Sequence, residues 1–150
     1  MSGIINNQEN VARVLFSPRM IVDGKIQPEA FRLRDSINED YLSVMRMAFP
    51  TWKEDVGRIP QRKNRKLYGY AEMNVGEIRG IRLKGVRYDV RECPQSSFSS
   101  HAGIFISVHG EKLIGGNLLK GVQNAMEQDY LVLAIQRELV DIAQKKLRPL

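Results

Sequence analysis

The chain reads as an α+β protein in which an antiparallel or mixed sheet is followed by a C-terminal helical layer. Short segments rich in β-branched and aromatic residues recur at residues 11–16, 41–49, 67–73, 86–91 and 102–108, the composition that a pleated, half-buried surface favours. Asp23-Gly24 sits between two short apolar flanks, and both residue types tolerate the positive φ of a two-residue hairpin turn. From residue 118 the alternation gives way to a helical period. Leu118, Val122, Ala125, Val132, Leu139 and Ala143 recur on one stripe, with Leu119, Met126, Leu133 and Val140 beside it, a broad apolar face suited to covering one side of a sheet.

A length of 150 residues suits one compact domain spanning 1–150, with a polar start at 1–10 that is expected to be flexible. The 43% hydrophobic and 27% charged content argues against a disordered or fibrous chain. The clearest apolar run, 130–135, falls far short of a membrane span, so no membrane partner is expected. The start lacks the basic segment and apolar run of a signal peptide, and the single Cys93 cannot close an intramolecular disulfide; both point to the cytoplasm. A formal net charge of +6 favours anionic partners.

In chain order, residues 11–16 read as a strand that Ser17-Pro18 interrupts, and 20–26 as the hairpin. Gln27-Pro28-Glu29 is a turn, and 30–34 alternates apolar with basic residues. In a strand that alternation turns Phe31 and Leu33 inward and Arg32 and Arg34 outward. A polar connection leads to 41–49, a strand in its first half. A short helix is expected from Trp52 to about Arg58, with Thr51 and Glu54 at capping-box spacing and Ile59-Pro60 ending it. Residues 67–73 and 77–83 are expected as strands or edge segments, and the spacing of Gly69, Gly76, Gly80 and Gly85 matches turns and bulges, not a phosphate-binding fingerprint. Residues 86–91 alternate cleanly. A buried strand at 102–108, a short return strand at 113–114 and Asn117 as N-cap of the final helix complete the expectation, with Gln128-Asp129 as a candidate break. Lys145, Lys146, Arg148 and Pro149 suit the helix end.

Two regions concentrate candidate chemistry. Residues 91–111 hold the only cysteine, both histidines and the serines at 96, 97, 99 and 100. Here His101 is the candidate proton carrier, Arg87 and Arg91 on one strand face the candidate phosphate neutralisers, and Ser99 and Ser100 the orienting hydroxyls. The competing reading makes His101 a strand-end structural residue and Arg87, Asp89 and Arg91 an ion-paired surface. The second region, 53–66, carries six Lys or Arg and two acidic residues, densest at Arg62, Lys63, Arg65 and Lys66. It is either a solvated loop or a set of phosphate contacts. Tyr68 and Tyr70 follow it and could stack on bases, although their shared strand face puts at least one of them in a core.

Cys93, His101, His109 and Glu111 fit neither paired-cysteine nor His-Glu metal spacing. A straight strand across 102–108 also sets the two histidines about 26 Å apart. No metal and no cofactor is predicted. Residue types and spacing therefore point to a small basic nucleic-acid-binding or interaction protein, with RNA, DNA, a nucleotide or a protein as candidate partners. The alternative is a metal-independent enzyme acting on a nucleotide, RNA or nucleotide cofactor, and whether the chain is catalytic stays open.

Overall fold

Strand β1 (Asn10–Ser17) runs through the middle of the molecule and is buried on both faces, which explains the nearly continuous apolar run there. The hairpin follows as β2 (Ile21–Val22) and β3 (Lys25–Ile26), with Asp23 and Gly24 at φ 50° and 75° as their chemistry demands. Next come β4 (Leu42–Arg46), the short helix α1 (Trp52–Gly57), β5 (Lys66–Asn74), α2 (Val75–Arg79), β6 (Val86–Glu92), β7 (His101–Val108) and β8 (Glu111–Lys112). Helix α3 (Ala125–Ala143) and β9 (Leu147–Arg148) close the chain. This computed structural model describes residues 4–93, 98–117, 119 and 121–150. Among them a seven-stranded sheet has the order β6-β7-β4-β1-β5-β9, with β8 on β7. Every pairing is antiparallel, so the α+β class with a C-terminal helical layer holds.

The sheet has two cores. On one face Val11, Leu15, Val44, Ile104 and Ile106 pack with Ile135, Leu139 and Ala143 of α3, and the buried Tyr88 hydroxyl donates to the Ile135 carbonyl at 2.9 Å. On the other face a smaller cluster joins Ala12, Val14, Phe16, Met45 and Tyr70 to Trp52 and Val56 of α1. Gln144, just past α3, accepts from Ile26 N–H at 2.7 Å and donates to the Gly24 carbonyl at 3.0 Å, which ties the hairpin to the helix end.

Several local expectations change. Residues 28–31 form a 3-10 turn, not a strand. Pro28 suits a first turn because its missing N–H has no partner to lose there, and the inward Phe31 and Leu33 and outward Arg32 and Arg34 keep the expected sides. The expected strand at 77–83 is replaced at its start by α2, where the Asn74 side chain accepts from Glu77 N–H at 3.0 Å and Val75 and Ile78 bury one helical stripe. Thr51 makes no side-chain cap bond. The return strand is Glu111–Lys112, because His109 and Gly110 take φ 50° and 79° and turn the chain earlier. Helix α3 starts at Ala125 with Asn124 as its cap, accepting from Glu127 N–H at 2.9 Å. Gly121 at φ 81° keeps the preceding residues out of the helix, Gln128-Asp129 does not break it, and Leu118 lies outside the described residues. Within the start expected to be flexible, residues 5–9 are docked. Ile5 is 1% exposed, Asn7 accepts from Gly76 N–H at 3.1 Å, and Glu9 pairs with Arg46 at 2.8 Å.

Candidate nucleic-acid interface

The β1–β4 ladder pairs Val11 with Arg46 and Ala12 with Met45. Beyond it Arg13, the next residue of β1, takes over the work of the ladder. Its Nη1 donates to the Ser43 carbonyl at 2.7 Å, and Nη2 and Nε donate to the Ala30 carbonyl at 2.7 and 3.0 Å. Burial pushes this guanidinium down to about 10, with Glu39 opposing the shift and Arg34 adding to it. A cleft of about 800 Å³ opens beside it. Phe16 and Arg19 line it from β1 and the turn that follows, Tyr41 and Ser43 from β4 and its approach, and Arg62 and Arg65 from the loop after α1. Arg32 and Arg34 contribute from the segment before β4, and Phe98 and His101 from the start of β7.

Arginines from separate elements meet here. The Arg65 guanidinium lies 3.9 Å over the Phe16 ring and donates to the Pro60 carbonyl at 2.9 Å, while its Nε is buried without a partner among the described residues. Desolvation lowers its pKa, and repulsion from Arg62 and Arg34 lowers it further. Arg34 pairs with Glu39 at 2.9 Å and Arg32 with Asp35 at 3.4 Å. Among the described residues Arg19 and Arg62 have no ion-pair partner.

A row of half-buried or buried rings continues from the cleft across the same sheet face. Phe98 lies 6.5 Å from His101, His101 5.8 Å from Tyr41, and Tyr41 5.2 Å from Phe105, centroid to centroid. Arg91 closes the row 4.9 Å over Phe105. Gly103 makes the row possible, because a Cβ there would stand 2.6 Å from Tyr41 Cδ2 and 3.0 Å from Phe105 Cε1.

His101 is 6% exposed and held at both ring nitrogens, with Nδ1 2.9 Å from the Cys93 carbonyl and Nε2 3.1 Å from Ser43 Oγ. Burial lowers its pKa, and the Cys93 bond opposes that. The residue before it is anchored. Ser100 Oγ donates to Asp55 Oδ2 at 2.5 Å, its N–H reaches the same oxygen at 3.3 Å, and Asp55 is 2% exposed.

The two regions that look separate in sequence thus share one cleft, since His101, Arg62 and Arg65 all line it. Arg91 lies at the end of the ring row. It pairs with Asp89 at 3.1 Å, and Asp89 also takes Arg79 at 2.9 Å. Although desolvation pushes the Asp89 carboxyl up, bonds from Arg79, Arg91 and Val90 N–H hold it below the usual carboxylate range. Arg87 is exposed and pairs across to Ser107, farther along β6 and β7. Ser99 is exposed, but Ser100 is fully buried on Asp55 and is closed to a ligand. Lys63 and Lys66 are exposed and do not line the cleft. Tyr68 is 46% exposed, whereas Tyr70 is 6% exposed and meets Trp52 edge-on at 4.8 Å, a core contact that removes it from base stacking. Sequence reasoning passes over Arg13, Tyr41, Ser43, Phe98 and Phe105. Of these only Arg13 carries a local signal, a cation inside an otherwise apolar strand.

The chain matches no protein-family model, and no curated protein or solved structure matches it. Geometry alone therefore supports a functional reading. Among the described residues, no helix is long and apolar enough to cross a membrane, and no group of three or more His, Cys, Asp or Glu side chains could hold a metal ion.

Proposed function

We propose that this protein binds single-stranded nucleic acid in the cytoplasm, with bases on the Phe98, Tyr41 and Phe105 rings and phosphates along the arginine-lined cleft. The observation that carries the reading is the continuity of the ring row with the cleft: His101 and Tyr41 belong to both. Aromatic rings bind any base through its π-face, at about 1–3 kcal/mol per base, and guanidinium groups pair with phosphate through two donors at once. Arg19, Arg62 and Arg65 are available for that work, and an anion beside Arg65 relieves the repulsion among Arg34, Arg62 and Arg65. A duplex hides its base faces in the stack, so rings seated in a sheet favour a single strand.

The test is fluorescence anisotropy with a labelled single-stranded oligonucleotide, a matching duplex and a salt series. Single-strand binding at low salt should weaken as salt rises. Replacing Arg62 and Arg65 with Gln should flatten the log-log salt slope by about 0.7 for each phosphate that is no longer neutralised. Absence of binding at low salt, or a duplex bound as tightly as the single strand, overturns the reading.

A further inference from the structure

We infer that Ser43 and His101 form a nucleophile and general-base pair that attacks a phosphoester held in the cleft. A carbonyl oxygen can only accept, so the Cys93 carbonyl at 2.9 Å requires the hydrogen on Nδ1. Nε2 then carries the lone pair, and the half-buried Ser43 hydroxyl at 3.1 Å is its donor. This is the orientation an activated hydroxyl needs: base within reach of the nucleophile, and a third group fixing the base. The third group is itself held. Cys93 N–H donates to the His101 carbonyl at 3.2 Å, and Ser100 is pinned on Asp55. Ser43 and His101 both line the cleft in which Arg62 and Arg65 stand, and Arg13 sits on the Ser43 carbonyl. Burial lowers the His101 pKa, which keeps the ring neutral and able to accept a proton near pH 7.

In the reaction, Ser43 Oγ bonds to phosphorus as its proton passes to Nε2. The bond from phosphorus to the leaving alcohol breaks, and His101 returns the proton to that oxygen. Water then attacks the phosphoserine with the same proton relay, which releases the phosphate product and restores Ser43.

The substrate class rests on the nucleic-acid reading of the cleft, but the reactive pair does not. The test therefore uses diisopropyl fluorophosphate, which forms an Oγ–P bond with loss of fluoride and needs no recognition of a nucleic acid. Intact-mass and peptide analysis should find one adduct, on Ser43, absent from Ser43→Ala. His101→Gln should slow labelling by at least about 100-fold, and His101→Asn, which keeps a donor for the Cys93 carbonyl, should slow it as much. Melting curves establish that whichever substitution is read is folded. No adduct on the parent protein, an adduct elsewhere, or a rate unchanged in a folded His101 variant overturns the pair. Labelling without oligonucleotide binding removes only the nucleic-acid substrate, and binding without labelling removes only the pair.

Discussion

The two faces of the sheet across β4, β6 and β7 are made by alternate residues of the same strands, yet they are different environments. Beneath α3, Leu42, Val44, Val90, Ile104 and Ile106 are at most 3% exposed. One residue away on the same strands stand Ser43, Arg91 and Phe105, all at least partly exposed, with His101 at the head of β7. The first face is closed by a helix that brings its own apolar stripe. The second is covered by the short α1 only over β1, β5 and the far end of β4, where Trp52 and Val56 meet Ala12, Val14, Met45 and Tyr70. Because strand side chains alternate with a period of two, a change at one position should strike stability and a change at the next should strike ligand chemistry.

The largest expected effect lies on the closed face. Leu139→Ala, at a residue fully buried against the sheet, should destabilise by about 3 kcal/mol, visible as a lower denaturant midpoint. On the open face Phe105→Ala should leave that midpoint much closer to the parent value and weaken single-strand binding by about 1–3 kcal/mol. Equal losses of stability from the two substitutions would break the comparison.

Gly103→Ala sharpens it with a smaller change. The added methyl collides with Tyr41 and Phe105, so anisotropy should show weaker oligonucleotide binding, and Tyr41→Ala in the same background should then add less than it does alone.

A titration separates the faces further. Burial holds the His101 pKa below the ordinary 6.5, and the bond to the Cys93 carbonyl opposes that only in part. The unfolded chain therefore binds a proton first as pH falls. The stability due to neutral His101 is complete above about pH 6.5 and is lost as pH falls from there toward the native pKa. Between about pH 7.5 and about pH 5.5 the Tm should drop more in the parent than in His101→Gln, whereas Leu139→Ala should keep the parental pH slope. The smallest effect belongs to Arg62→Gln, an exposed residue without an ion pair among those described. Its thermal stability should stay within about 0.5 kcal/mol of the parent, with the change confined to the salt dependence of binding.

Much of the fold follows from local chemistry. Asp23-Gly24 admits the positive φ of a hairpin, residues 11–16 are rich in strand formers, and Val86, Tyr88 and Val90 alternate with outward charges; each appears as expected. Where local signals were ambiguous, distant partners decided. The local signal puts the cap of the last helix at Asn117, but Gly121 takes a left-handed conformation and the Gln128 side chain reaches back to Leu119 N–H at 2.7 Å, so α3 begins after Asn124. His101 was visible as a candidate because it stands at a loop-to-strand junction. Its partner Ser43 was not, because nothing near position 43 marks one serine of a strand as different.

What the sequence by itself determined is the α+β architecture, most of the strands, the basic loop at Arg62 and Arg65, and the candidacy of His101 and Arg91. Those properties depend on residues near one another in the chain, where alternation, turn chemistry and charge density can be read directly. Only the tertiary structure decided that the basic loop and His101 share a cleft, that Ser100 and Tyr70 are buried away from it, and that Ser43 faces Nε2. Those facts depend on strand register, Met45 opposite His101 and Ser43 opposite Gly103, and on the parting of β1 from β4 that Arg13 fills. Register is set by the sum of many weak packing contacts, and no single stretch of sequence contains that sum.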